Sequence, residues 1–324
     1  MTLPEPYATW FPAAAFDGRY GRTEADLRAV PPAPAPPGFA ERWRRWRRET
    51  AAVDAAPVVL SSAVEHGRRV SVVEHSGVDG VRLRAWVVEP LDGRPRAGVV
   101  HSHGYGGREE VDLARVPEGL AAIFPVARGL GALNAGVGAP ESTAEHVLAG
   151  IDDPERYVLG LCARDLWLAA DALSALVGEL PLYYVGESFG GGIGALALPW
   201  DERFVGATLI VPSFGQYDER LAVRCLGSGE TVRQHVRRHP EAREVLRWFD
   251  SSTSIGFARM PVRVEAALWD QYVPPQGQFA VAAGAREVEL AVLPAGHAEY
   301  PGWAAVTAAA IREGRAHLER VLAR

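Results

Sequence analysis

The 324 residues carry a formal net charge of −6 and are 48% hydrophobic and 23% charged, with 34 basic residues that are all arginine. This is the balance of a globular protein with an ample core, and the acidic excess argues against a nucleic-acid partner, since phosphate binding wants a basic face. The lack of lysine beside abundant Ala, Gly and Pro reads as the codon bias of a GC-rich genome before it reads as function.

Two cysteines, Cys162 and Cys225, have no metal-ligand spacing and suggest reduced thiols. Residues 1–10 lack a basic n-region followed by an apolar run, so no signal peptide is expected, and no apolar stretch approaches the length of a membrane span. The cytoplasm is the expected compartment.

Residues 1–37 read as an irregular extension ending in Pro31-Pro32-Ala33-Pro34-Ala35-Pro36-Pro37, a stiff polyproline-like spacer; residues 38–324 read as a single domain. Phe39, Trp43, Trp46, Thr50 and Val53 form a helical stripe ringed by arginines. A membrane-surface or nucleic-acid helix is the sharper reading. Because Glu41, Glu49 and Asp54 interrupt the positive charge, packing of the tryptophans on the body with solvated arginines is favoured. The alternating runs Val70–Glu74 and Val81–Val88 around Ser76-Gly77-Val78-Asp79-Gly80 predict a hairpin.

Buried strands are expected at Ala97–His103 and Ala121–Ala127. The Gly-, Ala- and Pro-rich stretch from Gly131 to Asp153 is expected to be a surface excursion, and a long helix follows from Tyr157 towards Gly178. Leu182-Tyr183-Tyr184-Val185 then runs into Gly186-Glu187-Ser188-Phe189-Gly190, followed at once by a helical pattern. That strand, turn and helix order is what a nucleophile elbow needs, with small residues letting the chain pass tightly behind Ser188. A strand at Val205–Val211, a helical insertion over about 214–258, strands at Val262–Leu268 and Val288–Leu293 and a closing helix from Trp303 to Leu322 complete the pattern. Strands alternating with helices predict an α/β fold: a doubly wound, mostly parallel sheet flanked by helices, whose ligands sit beyond the carboxyl ends of the strands.

In the α/β-hydrolase arrangement the order is Ser, acid, His. Asp270 follows the Val262–Leu268 strand and His297 follows the last strand, so Ser188, Asp270 and His297 are the candidate nucleophile, acid and base; Asp250 and Glu299 are alternative acids. His101 and His103 precede Ser188 and fall in the wrong order; His101 is expected in the core and His103 in support of the Gly104-Tyr105 turn. Cys162 lies on an apolar helix face and reads as packing. The backbone N–H groups of Phe189 and Tyr105 are the candidate oxyanion donors. Neither glycine run matches a phosphate-loop or dinucleotide motif, and no cluster has ligand spacing, so no cofactor and no metal are implied.

These residues resemble the acetyl xylan esterase and cephalosporin C deacetylase family, carbohydrate esterase family 7. The likeness covers about residues 38–320: the helix at Phe39–Trp46, the hairpin, His103-Gly104-Tyr105-Gly106-Gly107, Arg128-Gly129, the elbow with Gly190-Gly191-Gly192, Asp270 before Pro274-Pro275, and His297. The resemblance implies a serine esterase that deacetylates small acetylated sugars or cephalosporins. It also implies an intracellular homo-oligomer, a hexamer built from trimers in that family. The chain has Phe189 and Leu130 where the family has glutamines, and Ala298 between His297 and Glu299 where the family has His-Glu. Rival readings are an esterase or peptidase for larger acyl or amide substrates, and a catalytically silent binding protein.

Overall fold

In residues 4–324, which the computed structural model describes, nine strands form one sheet. They are β1 (Val58–Glu65), β2 (Arg68–Ser76), β3 (Arg82–Pro90), β4 (Gly98–Ser102), β5 (Ala121–Pro125), β6 (Leu182–Glu187), β7 (Phe204–Ile210), β8 (Val262–Ala267) and β9 (Val288–Leu293). Their spatial order is β1-β2-β3-β5-β4-β6-β7-β8-β9. The pairs from β1 to β3 and the β3–β5 pair are antiparallel, and every pair from β5 to β9 is parallel. β4 and β8 are buried along their whole length, as expected of strands covered by helices on both faces. The sheet is therefore the α/β arrangement anticipated from the alternation of patterns.

The expected hairpin is β2–β3, turned by Val78–Gly80 with Asp79 and Gly80 at φ 63° and 75°, the left-handed values an Asp-Gly turn supplies. The sheet starts one strand earlier than the sequence suggested. β1 pairs only with β2, and all eight of its residues are exposed, so it lacks the half-buried alternation that marks a strand in sequence.

The helix Phe39–Ala51 buries Phe39, Trp43, Trp46 and Thr50. Trp43 packs edge-on against Trp167 of the helix Val158–Val177 and stacks on Trp200. Trp46 donates to Glu155 at 2.7 Å, and the same carboxylate accepts from Arg42 and Arg45. The arginine-rich face is thus a solvated one that gathers on Glu155, and the tryptophans are core.

The stretch from Gly131 to Asp153 runs mostly at the surface, as expected, but four of its residues turn inward. Asn134, His146, Val147 and Ile151 are buried. The Asn134 amide explains how a polar loop enters the core: it donates to the Arg84 and Val126 carbonyls and accepts from the Arg84 N–H, which bridges β3 and the end of β5 where their ladder stops.

Trp43→Ala is expected to cost about 3–5 kcal/mol, the range for emptying a fully buried large aromatic site. Urea unfolding followed by far-UV circular dichroism checks it, and a loss under about 1 kcal/mol would contradict the packing role.

Candidate active site

The elbow lies where β6 ends and the helix Phe189–Ala197 begins. Ser188 sits at φ 52°, ψ −109°, a backbone conformation costly for a residue with a Cβ. Its surroundings hold it there. The Ser188 N–H donates to the Ile210 carbonyl at 2.8 Å, and its own carbonyl accepts from Gly192 and Ser213. A Cβ on Gly186 would lie 2.6 Å from the Tyr184 ring, and one on Gly190 would lie 2.8 Å from the His103 carbonyl oxygen, so the two flanking glycines are required by close approach.

His297 meets Ser188 from the loop after β9. Its Nδ1 lies 2.7 Å from Asp270 Oδ2 and its Nε2 lies 2.9 Å from Ser188 Oγ. A carboxylate only accepts, so Nδ1 carries the proton and Nε2 is left to accept from the serine hydroxyl. Burial by itself would lower the His297 pKa, but the charge of Asp270 and the hydrogen bond to it outweigh burial and raise the value above 6.5. Asp270 is fully buried and its carboxylate is saturated: Oδ1 accepts from the Tyr272 and Val273 N–H groups, and Oδ2 from Gln278 Nε2 at 3.0 Å as well as from His297.

The structure brings Ser188, Asp270 and His297 into one hydrogen-bonded line and leaves the alternative acids elsewhere. Asp250 caps the helix Ser251–Ser254 and also accepts from the Gln216 and Tyr217 N–H groups. Glu299 is exposed and makes no hydrogen bond to His297.

The turn after β4 runs beside the serine: a Cβ on Gly104 would lie 3.6 Å from Ser188 Cβ. Among the described residues the N–H groups of Tyr105 and Phe189 have no acceptor. His103 fixes this turn. Its Nδ1 donates to the Gly104 carbonyl at 2.6 Å and its Nε2 accepts from the Ala127 N–H at 3.0 Å, a pattern only the neutral ring can make. Burial lowers its pKa to about 4, which keeps it neutral. The Gly190 N–H donates to the His103 carbonyl and ties the turn to the elbow.

Tyr105 is held from its other end, its hydroxyl donating to His146 Nδ1 at 3.2 Å while His146 Nε2 donates to the Arg128 carbonyl. Arg128 in turn makes a paired contact with buried Asp165 at 2.7 and 2.9 Å. Phe189 packs into this wall, 4.5 Å between ring centroids from Tyr105 and edge-on to Phe214 at 6.0 Å. His101 is buried, as expected, and Cys162 is buried with its thiol pushed up by burial, so it is a core group.

Two supports of the acid loop had no signature in the sequence. Gln278, on the helix Pro275–Gly284, bridges Asp270, the Val273 carbonyl and the Ala267 N–H. The N-terminal segment crosses the same loop. It carries short helices at Tyr7–Trp10 and Glu24–Arg28, and its Gly18 carbonyl accepts from the Asp270 N–H at 3.1 Å. The Phe16 carbonyl accepts from Gln271, and Phe11 stacks on Trp269 at 4.0 Å. Only the aromatic content of residues 7–20 hinted at anchoring.

A strained serine joined to histidine and aspartate at the carboxyl edge of a parallel sheet defines an α/β-hydrolase, a class built for acyl transfer. The comparisons take this further. A model of the acetyl xylan esterase family matches residues 28–308, and the chain belongs to that family: it is a serine-type carboxylic ester hydrolase. Solved structures agree on the fold. The acetyl xylan esterase from Paenibacillus sp. R4 superposes with a TM-score of 0.78 at 20% identity, over 90% of this chain and 99% of its own. Acetyl xylan esterase 1 from Thermoanaerobacterium sp. JW/SL YS485 does so with 0.74 at 21% identity, over 92% and 99%. Est1E from Butyrivibrio proteoclasticus, bound to ferulic acid, is more distant at 0.55 and 14% identity, over 76% and 98%. No curated protein matches the chain. Among the described residues no helix is long and apolar enough to cross a membrane, and no group of three or more His, Cys, Asp or Glu could hold a metal ion.

Gly18→Ala would set a Cβ 2.8 Å from the Trp269 ring and 2.9 Å from the Asp270 nitrogen. A displaced acid loop is expected to lower kcat about 10- to 100-fold while the protein stays folded. Steady-state kinetics beside a thermal melt checks this, and a fully active variant would show that the segment does not position Asp270.

Proposed function

We propose that the chain removes acetyl groups from small acetylated substrates through an acyl-enzyme on Ser188. The hydrogen-bonded line from Ser188 through His297 to Asp270, at 2.9 and 2.7 Å, is the observation that carries this reading. His297 takes the proton from Ser188 Oγ as the oxygen attacks the ester carbonyl, then gives it to the departing alcohol. Water, activated the same way, releases acetate and restores the serine. Asp270 holds the imidazole in the required tautomer and stabilises its cation. The unpaired N–H groups of Tyr105 and Phe189 receive the carbonyl oxygen as its charge develops.

The contact between the Tyr105 and Phe189 rings walls the site beside Ser188 and supports a short acyl group. Family membership supports acetylated sugars, such as xylo-oligosaccharides, or cephalosporin-like esters as the substrate class. Two free, buried cysteines support a cytoplasmic setting. The exposed outer strand β1, with Val58, Val59, Leu60 and Val64 open to solvent, supports a homo-oligomer.

Hydrolysis of 4-nitrophenyl acetate, butyrate and octanoate tests the reading. Acetate is expected to be the best substrate, and Ser188→Ala to lose about 10^4-fold or more in kcat. A preference for octanoate would remove the acetyl assignment, and an active Ser188→Ala would remove the nucleophile.

The pH profile tests His297. The neutral ring is the active base and its pKa is raised, so kcat/KM is expected to climb with pH through a midpoint above 6.5. Asp270→Asn removes the charge that raises the value, so the midpoint should move to lower pH while the rate falls by about 10^4. An unmoved midpoint would mean that another group sets the limb.

A further inference from the structure

Arg220, on the helix Tyr217–Ala222 of the insertion, is 4% exposed. The other buried arginines have acceptors: Arg128 on Asp165, Arg263 on Glu265, Glu289 and Glu313, Arg108 on the His101 carbonyl, and Arg68 on the Val116 carbonyl. Arg220 differs. Among the described residues its guanidinium has neither an ion pair nor a hydrogen bond through any nitrogen, and its Nη1 is sealed from solvent; Arg68 also has a sealed Nη1 but donates through Nη2 to the Val116 carbonyl. Removing a guanidinium from water without a counter-charge is costly, so a group left in this state points to a partner that arrives from outside the chain.

Its surroundings belong to the site. The guanidinium carbon lies 5.6 Å from the centroid of Phe214, the ring that packs edge-on against Phe189. On the other side the helix Gly227–Arg238 closes over it, and a Cβ on Gly229 would lie 2.7 Å from Nη2. The guanidinium therefore stands between Phe214 and the insertion helix, and its charge acts to lower the pKa values of His297 and Tyr105.

We propose that Arg220 anchors a carboxylate on the alcohol part of the substrate, so that the enzyme deacetylates small acetyl esters of hydroxy acids or sugar acids. This rests on the acetyl ester reading above. An acetyl group is uncharged, so an anion that meets Arg220 must sit on the leaving alcohol. The planar fork of a guanidinium matches a carboxylate at two points, and one cation among aromatic neighbours balances one negative charge. A doubly charged phosphate would be left half compensated.

The test compares 3- and 4-acetoxybenzoate with the matching acetoxybenzamides, uncharged analogues of the same size, on the wild type, Arg220→Met and Arg220→Lys. The wild type is expected to prefer the carboxylate of at least one isomer by about tenfold or more in kcat/KM, mainly through KM. That ratio should collapse towards one in Arg220→Met and survive in part in Arg220→Lys. Equal rates for acid and amide in the wild type, or a ratio that persists in Arg220→Met, would overturn the anchor. Inhibition of wild-type 4-nitrophenyl acetate hydrolysis by 3- and 4-hydroxybenzoate against the hydroxybenzamides gives the same answer without a variant, and equal inhibition also overturns it. A wild type inactive on 4-nitrophenyl acetate removes the esterase reading beneath the proposal, whereas an active one without acid preference removes the anchor alone.

Discussion

The site depends on one backbone residue held where it would not go by itself. A serine at φ 52° is unfavourable in a free chain, and here its N–H, its carbonyl and both flanking glycines are committed to neighbours that leave no room to relax. The consequence is geometric. The side-chain oxygen stands clear of the sheet, the following N–H points away from any internal acceptor, and the helix behind it can start without a bulky residue in its first turn. Gly190 extends the constraint to the turn after β4 by bonding to the His103 carbonyl. The two loops that carry the Tyr105 and Phe189 N–H groups are thereby fixed to each other.

The proposed acid and base are fixed by a different device. Asp270 accepts four hydrogen bonds, three of them from its own loop and from Gln278, which leaves one direction open for His297. Gly296 lets the histidine loop approach, since a Cβ there would lie 2.5 Å from Asp270 Oδ2. The N-terminal segment presses on the far side of the same loop through Phe11, Gly18 and Phe16. A segment remote in sequence thus acts on the reacting groups through backbone contacts, which depend on where the chain passes and hardly at all on which side chains it carries.

The wall beside the serine shows how far a shared fold constrains a pocket. Phe189 contributes the same N–H that any residue would contribute at that position, and its ring adds an aromatic surface packed on Tyr105 and Phe214. Tyr105 is anchored in turn through His146 to the Arg128 carbonyl, so the turn is braced by neutral, buried hydrogen bonds. Arg220 lies behind Phe214, its guanidinium carbon 5.6 Å from the ring centroid.

The sequence alone was enough for the alternation of strands and helices, the hairpin turned at Asp79-Gly80, the elbow at Ser188, and the order in which Asp270 and His297 follow it. Each of these rests on local rules: side-chain periodicity, turn residues with positive φ, and the topology a parallel sheet imposes on its loops. Choosing Asp270 over Asp250 and Glu299 needed three dimensions, because all three carboxylates lie in the right region of the chain and only packing brings one within 2.7 Å of the imidazole. Gln278, the Gly18 carbonyl, the buried Asn134 and the unpaired state of Arg220 were likewise decided by tertiary structure. Their roles come from partners in other elements or loops, or from the lack of one, and no pattern in the neighbouring sequence encodes such a contact. β1 was missed for a related reason: an outer strand with no buried face has pairing but no periodicity, and pairing is a property of two segments together.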